Sequence, residues 1–205
     1  LTVLAQRGIR VEEELLRTQL RQRGARPGMT EEEVRLPREL VDECLASTGR
    51  RPIRRCVNGK ALQIHSDHRY YGSLVTDPLI LEYPDKLRPP RLEDIARHAR
   101  LGDALPLVNV IHLMDDTIPD LPSHSSVLQC LLPFVANTSK SYNCAPGSLE
   151  ATRHWIEVSE IMAGGSLKQN PILGAYVPTV SPLTLTALNT QQLRMFIAHG
   201  ALFNL

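Results

Sequence analysis

From about residue 79 onward, strand-length apolar runs alternate with helix-length amphipathic ones, roughly one pair every thirty residues. This rhythm constrains the fold more than any other feature, because a parallel strand pair needs a crossover, and crossovers are right-handed. Leu79 to Tyr83 reads as the first strand and Leu107 to Leu113 as the second. Tyr142 to Ala145 and residues 172 to 177 follow, and Ala201 to Leu205 begins a fifth. The helices between them carry their own start and stop signals. Pro89-Pro90 introduces one with Leu92, Ile95, Ala96 and Ala99 inward, and a second runs from about Ser123 until Pro133 kinks or ends it. Ser148 caps a third that Gly164-Gly165 closes, and Asn189 with Gln192 marks the start of a fourth that ends at Gly200.

The fourth strand stops abruptly at Pro178 and Pro182, within the run Asn170 to Leu183. Small polar side chains thus fall at a strand's carboxyl end, where parallel α/β folds place their sites. The fold class expected is α/β of the (β/α)8 TIM-barrel type. A complete barrel takes about 250 residues, so these units amount to about the first half of one. A half barrel exposes two sheet edges and an apolar interior, and therefore calls for a partner chain or for the missing carboxyl-terminal half.

Residues 1 to 68 have a different character and read as an α+β cap of helices plus a hairpin. Leu1 to Arg7 is a helix tail closed by Gly8. Glu12 to Arg23 is a helix with Leu15, Leu16 and Leu20 on one face, and Leu40, Val41, Cys44 and Leu45 repeat at helical spacing after Pro37. Asn58-Gly59, between Ile53 to Val57 and Ala61 to Ile64, is a hairpin signal of the type I′ kind. The domains expected are thus 1–68 and 69–205.

Composition excludes several classes of function. Hydrophobic residues at 42% and charged ones at 22% mark an ordinary globular chain, and a net charge of +1 gives no nucleic-acid surface. The one basic cluster, Arg50, Arg51, Arg54 and Arg55, lacks interleaved aromatics and reads as a solvated strand edge. No apolar run is long enough to cross a membrane. Cys44, Cys56, Cys130 and Cys144 form no C-x-x-C pair and read as reduced, mostly buried thiols of a cytoplasmic protein. His65 and His68, at i, i+3 without a third ligand nearby, fit no metal template, so no metal is expected. His112, inside an apolar strand, reads as a core imidazole. There is no nucleophile elbow, P-loop or G-x-G-x-x-G.

Several segments, taken in order, resemble the trimethylamine methyltransferase family. They are Gly8-Ile9-Arg10-Val11, Leu36-Pro37-Arg38-Glu39-Leu40-Val41, Arg88 to Arg97 (RPPRLEDIAR), Ala163-Gly164-Gly165, and Pro178 to Leu183 (PTVSPL). The resemblance implies a TIM barrel with an amino-terminal cap, about twice as long as this chain. It also implies transfer of a methyl group from a methylated amine or betaine to a corrinoid carried by a partner protein, with no cofactor bound directly. Some members carry a pyrrolysine, which would lie beyond Leu205. Two stretches depart from the family pattern, His68 to Gly72 (HRYYG) and Met114 to Thr117 (MDDT), which bears on the substrate.

Such a substrate needs a pocket that holds a cation and excludes water, built from aromatic faces and nearby carboxylates. The substrate-binding candidates are Tyr70, Tyr71, Asp115, Asp116, Asn143, Tyr176, Thr179 and Ser181. Five of them also have a plain structural reading: Asp115 and Asp116 as loop cap and solvated charge, Tyr176 as a core tyrosine, Thr179 and Ser181 as loop-stabilising hydroxyls. Two other outcomes are a different TIM-barrel enzyme such as a lyase, for which Lys140 is the one lysine on offer, and a non-catalytic half-barrel that assembles with itself or another chain.

Overall fold

The computed structural model describes residues 1–47, 53–64, 67–73, 79–113, 118–119, 121–122 and 125–204. In chain order the first part contains α1 (Thr2–Gln6), β1 (Ile9–Val11), α2 (Glu14–Gln22), β2 (Arg26–Pro27), β3 (Glu33–Arg35) and α3 (Arg38–Ser47). The hairpin strands β4 (Ile53–Arg55) and β5 (Ala61–Gln63) follow, then β6 (Tyr71–Gly72), β7 (Ile80–Glu82), β8 (Lys86–Arg88) and α4 (Leu92–Ala104). The remainder is β9 (Val108–Leu113), α5 (Ser126–Val135), β10 (Ser141–Cys144), α6 (Leu149–Ala163), β11 (Leu173–Tyr176), β12 (Thr184–Leu185), α7 (Ala187–His199) and β13 (Leu202–Asn204).

These elements form two compact units, and neither follows the expected boundary at residue 68. One comprises residues 1–51 with 177–194 and 205; the other comprises 52–176 with 195–204. The first unit is built on a sheet of order β12-β1-β3-β2, in which β12 lies parallel to β1 with Arg10 opposite Thr184. Its core is Val11, Ala25, Val34 and Leu40, with Leu16 and Leu20 packed against them. Leu15, expected on that face, is exposed, as are Cys44 and Leu45 of α3. The inward turn of α2 goes instead to Arg17, which donates to the carbonyls of Val11 and Glu12. Helix α7 starts at Ala187, two residues before Asn189, because the Thr186 hydroxyl accepts from the Asn189 N–H as its cap.

The second unit holds a parallel sheet of order β13-β11-β10-β9-β6. Each new strand of this sheet lies beside the one before it, so the successive crossovers step in the same direction. The first parallel strand is Tyr71–Gly72, not Leu79 to Tyr83: Ile80–Glu82 pairs antiparallel with Lys86–Arg88 in a separate two-stranded sheet, and Leu81 and Tyr83 are exposed. The other four strands fall where the sequence placed them, to within a residue or two.

Along each strand alternate residues face opposite ways. Ile111, Leu113, Tyr142, Cys144, Leu173 and Ala175 make the helix-facing side, all fully or nearly fully buried. Tyr142 meets Phe134 and Trp155 edge-on or tilted at 5.7 and 6.0 Å, and its hydroxyl donates to Ser159 Oγ. Helix α4 opens with an Asp94 side chain that accepts from the Arg91 N–H and takes both terminal nitrogens of Arg88. Helix α6 opens on Ser148, whose hydroxyl accepts from the Ala151 N–H, and closes at left-handed Gly164 (φ 69°). Helix α5 runs two residues past Pro133 before it ends.

The β4–β5 hairpin belongs with this parallel sheet. Its turn is closed by the Gly59 N–H on the Cys56 carbonyl, and among residues 56–60 only Gly59 has positive φ (85°), so it is not the type I′ turn expected from Asn58-Gly59. The Arg55 N–H bonds the Pro171 carbonyl and the Asn58 N–H the Ser139 carbonyl. Both acceptors lie just before strands begin, so the hairpin sits over the amino ends of β10 and β11.

Candidate functional site

The face of the parallel sheet turned away from the helices changes character along its strands. Toward the amino ends Val110 packs with Cys56 and Leu62 of the hairpin and with Tyr70. Toward the carboxyl ends the same face presents His112, Asn143, Gly174 and Tyr176. Asn143 stands directly opposite both His112 and Gly174 in the strand register. His112 Nε2 is 3.1 Å from Asn143 Nδ2, and the His112 and Tyr176 rings meet edge-to-face with centroids 5.3 Å apart.

Arg54 enters this face from the hairpin and is buried, with 6% of its surface exposed. Its Nε donates to Ser141 Oγ, and one terminal nitrogen donates to the Tyr142 carbonyl at 2.6 Å and to Asn143 Oδ1 at 2.5 Å. This overturns the reading of Arg54 as part of a solvated basic edge. Of that cluster Arg55 is exposed, and Arg50 and Arg51 lie outside the described residues. All three acceptors are neutral, so burial dominates and lowers the guanidinium pKa to about 10, which leaves it cationic at neutral pH. Burial, and then the Arg54 charge, lowers His112 to about 4, so its imidazole is neutral under the same conditions. The Cys144 thiol, on the opposite face, is buried and pushed well up, which makes it a packing group rather than a nucleophile.

Two glycines make room for this cluster. A Cβ at Gly174 would overlap Asn143 Oδ1 and stand 2.8 Å from both terminal nitrogens of Arg54. A Cβ at Gly72 would stand 2.7 Å from His112 Nε2.

Of the residues expected to bind substrate, the structure brings together Asn143 and Tyr176. Tyr70 and Tyr71 sit at the other end of the strands. Tyr71 pairs with Val108 at the start of β9 and is 57% exposed, while the Tyr70 hydroxyl accepts from the Gln63 N–H of the hairpin. The cause is the changed first strand, since a strand that begins at Tyr71 puts both tyrosines at its amino end. Thr179 and Ser181 belong to the other compact unit, where they are exposed on a loop closed by paired backbone bonds between Val180 and Thr184. Asp115 and Asp116 lie outside the described residues. Arg54, His112 and Gly174 were not among the candidates. The available signal was the alternation of β4 and β9, which sets Arg54 with Cys56 and His112 with Val110.

Among the described residues no three His, Cys, Asp or Glu side chains are grouped to hold a metal ion. Lys140 lies just before β10, with its ammonium donating to the Gly102 and Leu105 carbonyls at the end of α4. It therefore serves as a helix cap. Among the described residues no helix is long and apolar enough to cross a membrane.

A family model described as trimethylamine methyltransferase (MTTB) matches residues 1–204. The chain belongs to the trimethylamine methyltransferase family. No curated protein matches it. On this face of the parallel sheet the aromatic ring of Tyr176, the neutral imidazole of His112 and the buried amide of Asn143 stand together.

Proposed function

We propose that the chain takes part in transferring a methyl group from a methylated amine or betaine to a corrinoid carried by a partner protein, with no cofactor bound directly by the chain itself. The observation that carries this reading is the family match over residues 1–204. The reaction asks little of the protein in proton transfer. The carbon–nitrogen bond breaks, its electron pair stays on the departing amine, and the methyl group passes in line to the acceptor, whose reduced cobalt supplies the nucleophile. The protein's share is to hold the methylated nitrogen, aim one methyl group at the acceptor and exclude water.

Tyr176 and His112 form the wall for the methylated nitrogen: the tyrosine face attracts a quaternary or protonated nitrogen, and the neutral imidazole adds no competing charge. Asn143, beside them, offers an amide donor. The buried Arg54 cation beneath Asn143 disfavours a ligand that is only a cation and favours one that also carries an acceptor, which keeps betaines alongside simple methylamines. Asp115 and Asp116 supply the balancing negative charge.

The five sequentially ordered parallel strands are part of a (β/α)8 barrel, and the family frame is completed by further barrel units or by association with another chain, including a second copy of this one. The protein works in the cytoplasm. A lyase reading lacks its base, since the Lys140 ammonium is engaged with helix carbonyls at the amino ends of the strands.

The test incubates the full chain with a reduced corrinoid protein and, separately, trimethylamine, dimethylamine and glycine betaine. Loss of the reduced corrinoid's visible spectrum with equimolar demethylated amine is the expected result. No turnover with any of the three, under conditions where the protein is folded and its native mass is known, refutes the reading.

A further inference from the structure

We propose that Arg54 is a positioning residue that holds the Asn143 amide in a single orientation and thereby fixes His112 as the tautomer with its proton on Nδ1. The inference rests on the reading of this face as the substrate wall.

The argument follows hydrogen-bond polarity. A guanidinium has only donors. The Asn143 atom that meets Arg54 at 2.5 Å must therefore be the carbonyl oxygen, Oδ1. That leaves the amide nitrogen Nδ2, again a donor, 3.1 Å from His112 Nε2. Nε2 must accept, so it carries no hydrogen, and in the neutral ring the proton stands on Nδ1. Were Asn143 turned over, its amide nitrogen would face the guanidinium and its oxygen would face Nε2. The first contact sets donor against donor inside the protein, which burial makes costly.

Arg54 itself cannot turn away. Its Nε donates to Ser141 Oγ, the terminal nitrogen that meets Asn143 also donates to the Tyr142 carbonyl, and the bare Cα of Gly174 is what lets the guanidinium lie there. Polarity thus runs one way, from Arg54 through Asn143 to His112, over three neighbouring elements. The elements around the imidazole present Arg54 from β4, the glycine of β6, Asn143 from β10 and Tyr176 from β11. Arg54 is the one permanently charged group in that set. The result is a wall with a fixed pattern of donors whose charge does not change through the neutral pH range.

The experiment is side-chain nitrogen NMR on the full chain labelled with 15N-histidine, comparing wild type with Arg54→Met and Asn143→Asp. In wild type the His112 signals should be those of an Nδ1–H ring that stays neutral well below pH 6. Aspartate has the shape of asparagine but accepts at both oxygens. Asn143→Asp should therefore move the proton to Nε2 and raise the His112 titration midpoint by at least one pH unit. Arg54→Met should release Asn143 and give a mixture of both tautomers. An Nε2–H ring in wild type, or an Nδ1–H ring that persists unchanged in Asn143→Asp, overturns the proposal. Should Arg54→Met fail to fold, Asn143→Asp decides alone. In turnover, Asn143→Asp should add an ionisation to the pH profile of kcat/KM that wild type lacks, a change that a merely structural role would not produce. The NMR readout needs no activity, so a chain that demethylates nothing would refute the functional reading while leaving this result intact, and the reverse also holds.

Discussion

Gly174→Ala adds a single methyl group at the most crowded point of the inner face, and its cost can be worked out from two opposed terms. The new Cβ would overlap Asn143 Oδ1 and stand 2.8 Å from Arg54 Nη1 and Nη2. Neither neighbour can yield cheaply: the oxygen is held by Arg54 at 2.5 Å, and the guanidinium is tied to Ser141 and Tyr142. Overpacking a filled interior typically costs about 1–3 kcal/mol. Against this, Gly174 does not have positive φ, so alanine fits the backbone and gains about 0.4–1 kcal/mol by restricting the unfolded chain. The steric term wins, leaving a net loss of about 2 kcal/mol, at the upper side because a polar network must shift as well.

For a chain of this size that loss corresponds to a fall in Tm of about 4–8 °C. Thermal unfolding followed by circular dichroism, with Trp155 fluorescence as the second probe, measures it. Gly147→Ala is the internal control, since nothing lies within 4 Å of its Cβ position. The double variant Gly174→Ala with Asn143→Ala removes the atom that is overlapped, and should be more stable than the two separate losses added together, by about 1 kcal/mol. A Gly174→Ala protein as stable as the Gly147→Ala control, or a strictly additive double variant, refutes the packing argument.

Tyr176→Leu, by removing the aromatic face, should raise KM for a quaternary amine by about 2- to 30-fold, the equivalent of about 0.5–2 kcal/mol, while Tyr176→Phe stays near wild type; steady-state kinetics checks both. Lys140→Met should lower stability by about 1 kcal/mol through the two unpaired carbonyls of Gly102 and Leu105, with turnover unchanged, as read by urea unfolding beside the methyl-transfer assay. Stability should also decline as pH falls from 7 toward 4. Burial holds His112 and His98 below the usual imidazole value of about 6.5, so the unfolded chain takes up protons first, and their contribution, complete above that value, is lost as pH drops toward the folded ones. At lower pH the Asp94 carboxyl, held below its ordinary range by Arg88, follows in the same direction, because its contribution exists only while it is ionised. Urea midpoints across this range measure the trend, and a flat profile between pH 7 and 4.5 contradicts it.

The helix ends of the second unit were legible because their causes are local. Ser148 bonds the first turn of α6, Gly164 supplies the left-handed stop, and Pro89-Pro90 precedes the α4 start, all within a few residues of the sequence signal. The first parallel strand was not legible. Tyr71–Gly72 has two residues, too few to show a period, and the longer apolar run beside it, Leu79 to Tyr83, is the one a strand signal selects. The register of that two-residue strand, set among the described residues by its pairing with β9, decides at which end of the sheet Tyr70 and Tyr71 stand. The exchange of segments between the units has the same origin: Thr184 and Leu185 pair with β1 from 174 residues away, and nothing local announces it.

The site was hidden for a different reason. In β4 the apolar Ile53 is 48% exposed while Arg54, its neighbour, is buried, the reverse of what hydrophobic alternation implies. Local rules fail in this way where a chain puts polar groups inside for a purpose. A sheet that needed only to be covered could fill its inner face with aliphatic side chains at lower cost, since a buried cation without a carboxylate partner is expensive and neutral acceptors offset only part of that cost. This chain instead gives up side-chain volume at Gly72 and Gly174 and spends three acceptors to keep Arg54 beneath Asn143 and His112. The shift from Val110 to His112 along a single strand marks where apolar packing gives way to the polar cluster. For that reason the polar inversions of β4 and β9, more than the hydrophobic rhythm that identifies the fold, point to the site.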